Sequence, residues 1–416
     1  MLVEFTFENL FSYKNESYFS MEAAKGTKII NEFPKVNQHR ILKSAVIFGS
    51  NASGKSNLLN AMDLMKEIVL YSSRDEGLPF PSFANLKDDP ITLSISIVTE
   101  GIVYRYTFSY TTECVLSEKL EFEEKGTFNT YFERQKEIYV VIPEDVKDLT
   151  TKTREDALFL LTAKTFNDQH GLNVFRWFRR SLLILNTNFV QSKDFADQIL
   201  GRPEWEKLKD EKYKNAVLKF MKAADVSIED IEMTEQTFRI TDDEHFFKYP
   251  KRSSTFTKKR LLLKHRSYQR NGDRGEDYTL DFSQESEGTR KLLYLASIIL
   301  LNEHKTILID EFDKSLHLEL SQALLGLFNS PENNNQFILT THQINLMDFE
   351  FKKEQIYFVE RKDDGISDLY SAYDFSMETN RKDYSYLKRY MDGQFGAIPI
   401  ILLDTLKDTL KEMRER

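Results

Sequence analysis

The sequence predicts an α/β protein built around a parallel sheet, and three observations support this prediction. The short apolar strand Ser44–Phe48 leads directly into a glycine-rich loop, and a helix with regularly spaced apolar residues follows at 57–71. Helix and strand then alternate through the last third of the chain, which is typical of a parallel sheet. Between these parts, 144–225 has helical spacing without a persistent heptad, which predicts a compact helical insertion.

The remaining elements follow from alternation and from turn residues. Val3, Phe5 and Phe7 alternate with polar residues, which predicts a half-buried strand. Two alternating runs on either side of Glu100–Gly101 predict a hairpin. The predicted strands are 91–98, 102–110, 119–122, 138–142, 228–233, 237–240, 306–309, 337–339 and 356–360. The predicted helices are 158–166, 172–185, 194–200, 205–221, 292–301 and 316–329. The predicted domains are 1–143 with the glycine loop, the helical insertion 144–225, and 226–416 with the second half of the sheet.

Composition is typical of a soluble globular protein. The 416 residues exceed one ordinary domain, and 41% hydrophobic residues allow a sizeable core. A net charge of −9 argues against a uniformly basic nucleic-acid coat, and a single cysteine excludes an internal disulfide and fits a reducing compartment. No apolar run is long enough to span a bilayer and no signal peptide is apparent, so we expect a cytoplasmic protein without a membrane partner.

The glycine-rich loop matches the phosphate-binding pattern G-x-x-x-x-G-K-[ST] in full. Its glycines let backbone N–H groups surround phosphates, Lys55 can reach the β and γ oxygens, and the Ser56 hydroxyl can bind Mg²⁺. The strand before it and the helix after it disfavour a chance glycine loop, and no guanine-specific motif appears. We therefore expect ATP and Mg²⁺ here. The predicted nucleotide-binding residues are Gly49, Ser50, Asn51, Ala52, Ser53, Gly54, Lys55, Ser56 and Asn57.

Two further strands end in polar residues that suit the same chemistry. The apolar strand that begins at Thr306 ends in Asp310 and Glu311. There Asp310 can hold Mg²⁺, and Glu311 can polarise the attacking water. The strand that begins at Phe337 leads to His342, whose imidazole can donate to a γ-phosphate oxygen or orient the water. Each would be an ordinary strand end or a structural histidine alone, and the phosphate loop favours the catalytic interpretation.

Ser286 and Gly288 precede the predicted helix at 292–301. A hydroxyl and free backbone N–H groups at a helix N-terminus form an anion site. Taken alone, this pattern is better explained as an N-cap with a glycine.

In combination these motifs resemble a known family. A phosphate loop, Ser-x-Gly before a helix, an apolar strand with Asp-Glu and Thr-His after the next strand occur in this order in ABC-type ATPases. The order resembles the branch of SMC, Rad50, RecF and OLD-type proteins, and the bacterial AAA-15/AAA-21 ATP-binding proteins are more similar still. The segments that carry this similarity are 285–290, 310–317, 340–342 and 390–399. The resemblance covers about 1–125 and 225–400. It implies an ABC-type P-loop ATPase head, with a mixed N-terminal β lobe and a parallel-sheet core around the helical insertion.

The resemblance also implies a head-to-tail homodimer, or a higher assembly, with ATP between two chains. Ser286 and Gly288 of one chain would close on the γ-phosphate held by the other, and Asp313 would lie in the loop that links the two sites. Glu311 is by this resemblance the catalytic carboxylate, and His342 is the switch histidine.

The chain departs from the family pattern at two positions. Glu287 stands where the usual signature has glycine, which affects the contacts expected in trans. The glutamine that normally follows the first lobe has only a weak candidate, Gln135.

Two segments have competing interpretations. Lys248–Arg270 holds nine lysines and arginines interleaved with aromatic residues, which is the best candidate for a nucleic-acid contact. A solvated hairpin edge protected by lysines explains the same segment equally well. The glycine-containing loop 393–399 is better explained by a tight turn than by a docking surface for a partner protein.

The sequence leaves three functions open, of which one, a nucleotide-regulated scaffold with slow hydrolysis, differs from the other two only in turnover. The first is an ATPase that controls a separately encoded, nuclease-like effector, in the setting of bacterial anti-phage defence. The chain holds no recognisable nuclease or metal motif of its own, so effector chemistry would come from a partner. The alternative is a RecF/SMC-like DNA-binding ATPase of DNA repair or chromosome maintenance, although the short insertion lacks a DNA-spanning coiled coil.

Overall fold

The computed structural model describes residues 1–24, 32–72, 77–83, 86, 88–186, 203–240, 254–375, 385–397 and 403–414. The chain divides into two compact units. The first contains 1–184, 306–311 and 336–416, and the second contains 185–305 and 312–335.

Within the described ranges the chain forms sixteen strands and eight α-helices. The strands are β1 (Leu2–Glu8), β2 (Ser17–Ser20), β3 (Ser44–Phe48), β4 (Ile91–Thr99), β5 (Ile102–Tyr110), β6 (Val115–Glu124), β7 (Thr127–Gln135), β8 (Ile138–Val141), β9 (Leu182–Asn186), β10 (Asp230–Ile240), β11 (Ser254–His265), β12 (Tyr278–Asp281), β13 (Thr306–Asp310), β14 (Gln336–Thr340), β15 (Ile356–Arg361) and β16 (Ser367–Ser371). The helices are α1 (Lys55–Tyr71), α2 (Phe159–Thr165), α3 (Gln169–Arg176), α4 (Glu211–Ala223), α5 (Glu287–Leu301), α6 (Leu318–Phe328), α7 (Tyr386–Met391) and α8 (Leu403–Arg414).

A six-stranded sheet in the order β16-β15-β3-β14-β13-β9 forms the core of the first unit. Its four central strands, β15, β3, β14 and β13, are parallel, and β16 is antiparallel. Every residue of β3, β13 and β14 is buried, as near-continuous apolar runs in a parallel sheet require. The predicted parallel core is confirmed. Because the strands are parallel, the residues that follow β3, β13 and β14 meet at one edge.

A seven-stranded antiparallel sheet in the order β2-β1-β4-β5-β6-β7-β8 forms the β lobe of the same unit. Val3, Phe5 and Phe7 are buried in β1, as their alternation predicts. The β4–β5 hairpin turns at Glu100 and Gly101, whose φ values of 50° and 75° suit a tight primed turn. The predicted mixture of a β lobe and a parallel core is therefore confirmed.

Gln336 joins these two sheets. Its fully buried side chain accepts a hydrogen bond from Leu2 N at 2.8 Å and donates to Leu2 O at 2.9 Å. Thr306 Oγ1 donates to the same amide oxygen at 3.0 Å. The first residues of β1, β13 and β14 are thus held together at the edge opposite the phosphate loop.

The second unit contains a three-stranded antiparallel sheet, β10-β11-β12, with helices α4, α5 and α6. The strands predicted at 228–233 and 237–240 form the single strand β10. Helix α5 begins at Glu287, earlier than predicted, because Ser286 caps it.

One predicted helix is wrong in its second half. The helix predicted over 172–185 ends at Arg176, continues as a short π-helix over Trp177–Ser181, and becomes strand β9. The run Leu182–Leu185 is apolar on all sides, so spacing alone does not separate a buried helix from a strand, and pairing in the core sheet decides the outcome. The helix predicted over 194–200 lies outside the described residues.

The compact units divide within the predicted helical insertion, at Ile184. The three-domain division at 143 and 225 stays a prediction. Among the described helices, none is both long and apolar enough to cross a bilayer.

Candidate active site

The phosphate loop joins β3 to α1, and its conformation explains its glycines. A Cβ atom on Gly49 would lie 2.3 Å from the Val359 carbonyl oxygen, so no larger residue fits. Gly54 has a φ of 116°, and a Cβ there would lie 2.5 Å from Ser367 Oγ. Ala52 also has a positive φ, of 59°. The loop therefore needs glycine at both ends for a close backbone approach.

Lys55 lies inside the loop rather than in solvent. Its buried ammonium donates hydrogen bonds to Gly49 O at 2.8 Å and Ser50 O at 2.9 Å. These contacts hold the charge on the concave side of the loop, where it can attract an anion.

A set of side chains from distant parts of the first unit braces the loop. Ser367 Oγ donates to Ser53 O at 2.5 Å and lies 2.8 Å from Ser12 Oγ, within hydrogen-bond distance. Asn57 Nδ2 also donates to Ser12 Oγ, at 2.9 Å, and the buried Tyr13 hydroxyl donates to Gly54 O at 3.0 Å. Burial raises the pKa of Tyr13 well above its usual value, so it remains a neutral donor. Sequence reasoning missed Ser12, Tyr13 and Ser367, because no local pattern marks them.

Ser56, Asp310 and Thr340 meet at the carboxyl edge of the core sheet. Ser56 Oγ lies 2.9 and 3.1 Å from the two carboxylate oxygens of Asp310. Thr340 Oγ1 donates to Asp310 Oδ1 at 2.6 Å and accepts from Glu311 N at 2.8 Å. Thr340 thus fixes both acidic residues from the neighbouring strand, a role that its sequence position alone does not reveal.

Glu311 and His342 are the next residues at this edge. Glu311 has a left-handed backbone, with a φ of 47°, which is uncommon for a residue other than glycine. His342 Nε2 lies 3.6 Å from Glu311 Oε1, and the two side chains are 40% and 25% exposed. The arrangement places a carboxylate and an imidazole together at an accessible position beyond β13 and β14.

The residues at this edge fit a hydrated magnesium ion. A serine hydroxyl and a carboxylate in direct contact supply two hard oxygen ligands, and Mg²⁺ bound with nucleotides takes few protein ligands of this kind. Ser56 and Asp310 are the residues that would hold the ion.

Comparison with known proteins agrees with this site. A family model described as "AAA domain, putative AbiEii toxin, Type IV TA system" matches residues 44–348, which include the phosphate loop, Asp310, Glu311 and His342. The chain belongs to this family, AAA-21. It is therefore a P-loop ATPase domain by family. No curated protein matches it.

Solved structures of SMC head domains align with the AAA-21 chain at low identity. One is the crystal structure of the SmcHead bound to the C-winged helix domain of ScpA, with 13% identity, a TM-score of 0.39, and 89% of this chain and 97% of that chain covered. Another is the SMC head domain from Thermotoga maritima, with 14% identity, a TM-score of 0.38, and coverage of 89% and 98%. A third is the Smc head domain with an extended coiled coil bound to the C-terminal domain of ScpA derived from Pyrococcus furiosus, with 14% identity, a TM-score of 0.42, and coverage of 89% and 96%.

Within the second unit of the AAA-21 chain, Ser286 caps α5. Its exposed hydroxyl accepts a hydrogen bond from Thr289 N at 3.1 Å. A Cβ on Gly288 would lie 2.9 Å from Ser315 O, so a larger residue there is tightly constrained. Asp313 is buried, and its Oδ1 has no hydrogen-bond partner among the described residues.

Four cations in the described part of the basic segment form ion pairs with acids. Lys259 pairs with Glu206, and Arg260 pairs with Asp281 at 2.8 Å. The other two pairs are Lys264 with Asp277 at 3.3 Å and Arg266 with Glu229 at 2.8 Å. Residues 248–253 lie outside the described residues. These ion pairs weaken the interpretation of the segment as a nucleic-acid contact.

The loop 393–397 packs inward, as a tight turn requires. Phe395 is buried and stacks on Phe358 with ring centroids 4.8 Å apart. Tyr370 donates to Phe395 O at 2.6 Å, and Gly396 has a φ of 65°. Pro399 lies outside the described residues. Gln135, the weak glutamine candidate, is exposed at the end of β7.

Proposed function

We propose that the chain binds Mg-ATP at the phosphate loop and hydrolyses it to ADP and phosphate. The observation that carries the proposal is the contact of Ser56 with both oxygens of Asp310, with Glu311 and His342 beside it. Family membership supports the same proposal, because the match to the family model spans all of these residues.

Each of these side chains has its own role in ATP binding and hydrolysis. Loop N–H groups and the Lys55 ammonium bind the phosphate oxygens, and Ser56 and Asp310 hold Mg²⁺. When bound, the ion supplies positive charge that neutralises the phosphate oxygens. Water forms a bond to the γ-phosphorus while the bond to the ADP oxygen breaks, and Glu311 accepts the water proton. His342 donates to the transferred phosphate or holds the water, and its 3.6 Å contact with Glu311 keeps it near the proton acceptor.

Substitution of Thr340 tests the proposed roles of Asp310 and Glu311, because the Thr340 hydroxyl forms hydrogen bonds with both residues. Thr340→Val keeps the volume but removes a donor to Asp310 and an acceptor for Glu311 N–H. We expect magnesium-dependent ATP turnover to fall by about 10- to 100-fold, since an unpaired buried polar group costs about 1–3 kcal/mol. Thr340→Ser keeps the hydroxyl and should retain turnover within about threefold of the wild type. Equal turnover of the valine and serine variants would show that Thr340 supports neither acid.

We further propose that two chains form a head-to-tail dimer around ATP. Ser286 presents an exposed hydroxyl at the N-terminus of the 15-residue helix α5, a place where an anion is favoured. In the dimer, Ser286 and Gly288 of one chain contact the γ-phosphate bound by the other, and Asp313 lies in the loop between the two sites. ATP then closes the dimer, and hydrolysis releases it.

The proposed biological role is control of a separately encoded effector. The description of the family as a putative toxin of a type IV toxin–antitoxin system supports a defence setting. The four ion pairs in the basic segment disfavour the alternative, a DNA-binding ATPase of repair or chromosome maintenance.

The Glu311→Gln variant tests the cycle. Loss of the proton acceptor should lower turnover by about 100-fold or more, while ATP binding is retained. We expect the variant to become dimeric with Mg-ATP in analytical ultracentrifugation. Glu303→Gln, at an exposed position outside the site, should behave as wild type. A Glu311→Gln protein that stays monomeric with saturating Mg-ATP at micromolar concentration contradicts the dimer.

The Glu311→Gln dimer also tests the proposed control of an effector. When this dimer is purified from its own host, a nuclease-like protein should co-purify with it but not with the Lys55→Ala variant. ATP-dependent binding of DNA by the isolated chain, without such a protein, would favour the repair function instead.

A further inference from the structure

The end of strand β11 contacts the segment that opens α5. His265 is the last residue of β11, and its Nε2 lies 2.6 Å from Glu285 Oε1. Glu285 immediately precedes Ser286, the N-cap of α5. The two side chains are only 14% and 7% exposed, so solvent screens this contact weakly.

The surroundings of the imidazole define its hydrogen bonding. Nδ1 lies 3.2 Å from the Ser227 carbonyl oxygen, so both ring nitrogens face acceptors. A neutral imidazole has one N–H and satisfies one acceptor, whereas the imidazolium satisfies both. The Tyr278 ring stacks on the imidazole, with centroids 5.4 Å apart, and fixes its plane. The geometry therefore fixes both the position and the plane of the ring.

The same strand holds the preceding turn. Arg260 Nε donates to Asp281 Oδ2 at 2.8 Å, and β11 and β12 pair Leu262 with Asp281. Asp281 and Gln284 form a capping box around the short 3-10 helix that leads to Glu285. Backbone pairing, a capping box and two ion pairs thus connect β11 to Ser286.

We propose that His265 is a positioning residue for the Ser286–Gly288 segment. Its ring ties the β10–β11 hairpin to Glu285 and so fixes the start of α5, which rests on the proposed function because that segment contacts ATP across the dimer.

The first measurement needs no nucleotide. Hydrogen exchange of the amides at 285–290 is compared in wild type, His265→Gln and the control His304→Gln, which replaces an exposed histidine of the same unit. We expect exchange to accelerate by about tenfold in His265→Gln alone, the factor for loss of one charge-assisted hydrogen bond. Unchanged exchange overturns the proposal, whatever ATP does to the dimer.

The second measurement follows dimerisation with Mg-ATP in the Glu311→Gln background. The dimer should weaken by about tenfold when His265→Gln is added, because the start of α5 is no longer held, and should stay within about twofold when the control His304→Gln is added. Dimers of equal affinity in these two variants contradict the positioning role. Accelerated exchange without any ATP-driven dimer would leave the contact in place and refute the proposed function instead.

Discussion

Lys55→Ala is expected to lose ATP binding by about 100-fold or more, because a hydrogen bond to a charged group contributes up to about 3 kcal/mol. The ammonium is already held within the loop by Gly49 O and Ser50 O. The Lys55 side chain therefore needs little reorganisation to reach the phosphates. Its replacement by alanine removes a positive charge that is already in position to bind them. Titration with a fluorescent ATP analogue measures the effect directly.

Two further variants separate binding from folding. Lys35→Ala removes an exposed lysine of the first unit and should bind ATP as the wild type does. Lys55→Arg keeps the charge, but a planar fork cannot occupy the same pocket, so binding should be intermediate. The urea midpoint of each variant shows whether the loop still folds without its central donor. A folded Lys55→Ala protein that binds ATP within about threefold of wild type contradicts the site.

The site residues could be predicted from the sequence wherever they belong to one short sequence pattern. Gly54 and Lys55 lie within one short pattern, and Asp310 with Glu311 follows a strand that its apolar run identifies. Parallel strands bring such ends to one edge, so the meeting of Ser56 with Asp310 follows from the fold class.

The supporting residues could not be predicted in the same way. Ser12 and Ser367 are separated by 355 positions and meet only because β16 returns to the loop. Thr340 stands in an ordinary strand end, and its bridging of Asp310 and Glu311 depends on the register of β13 and β14. Register and long-range packing are not visible in local spacing.

Strand β9 and the basic segment also depend on long-range contacts that local spacing does not reveal. Leu182–Leu185 became a strand because the sheet edge offered hydrogen-bond partners, although helical spacing preceded it. Lys259 and Arg260 lie in a cationic run, but Glu206 and Asp281 come from distant positions to neutralise them. A charge count along the chain does not include such partners.

Glu118 is the clearest residue that its charge misplaces. A glutamate usually lies on a solvated face, yet Glu118 lies on the same face of β6 as the buried Leu120, is 0% exposed and pairs with Arg134, which is 2% exposed. Its carboxylate also accepts from Phe159 N at 2.7 Å and Leu160 N at 2.9 Å. The first N–H groups of α2 therefore find their acceptor on β6 rather than in a local cap.

Glu118→Ala is accordingly expected to lower the free energy of unfolding by about 3–5 kcal/mol, because it leaves the Arg134 charge buried without its partner. The loss of an acceptor for Tyr106, whose hydroxyl donates to Glu118 Oε1 at 2.8 Å, acts in the same direction. Burial first, and then the carboxylate, hold the pKa of Tyr106 well above its usual range, so this phenol stays a donor. Urea unfolding followed by circular dichroism measures the change.

Glu121→Ala is the matched control, on the same strand. Glu121 contacts the partly exposed Lys119 at 3.0 Å, and such a pair contributes about 0–1 kcal/mol. A double variant, Glu118→Gln with Arg134→Met, removes both charges and should recover much of the stability lost in the single variants, since a buried pair costs desolvation as well as supplying attraction. If Glu118→Ala were no more destabilised than Glu121→Ala, the buried pair would not anchor α2 to the β lobe. A large loss that the double variant reverses would instead identify the unpaired charge, rather than the missing attraction, as the cause.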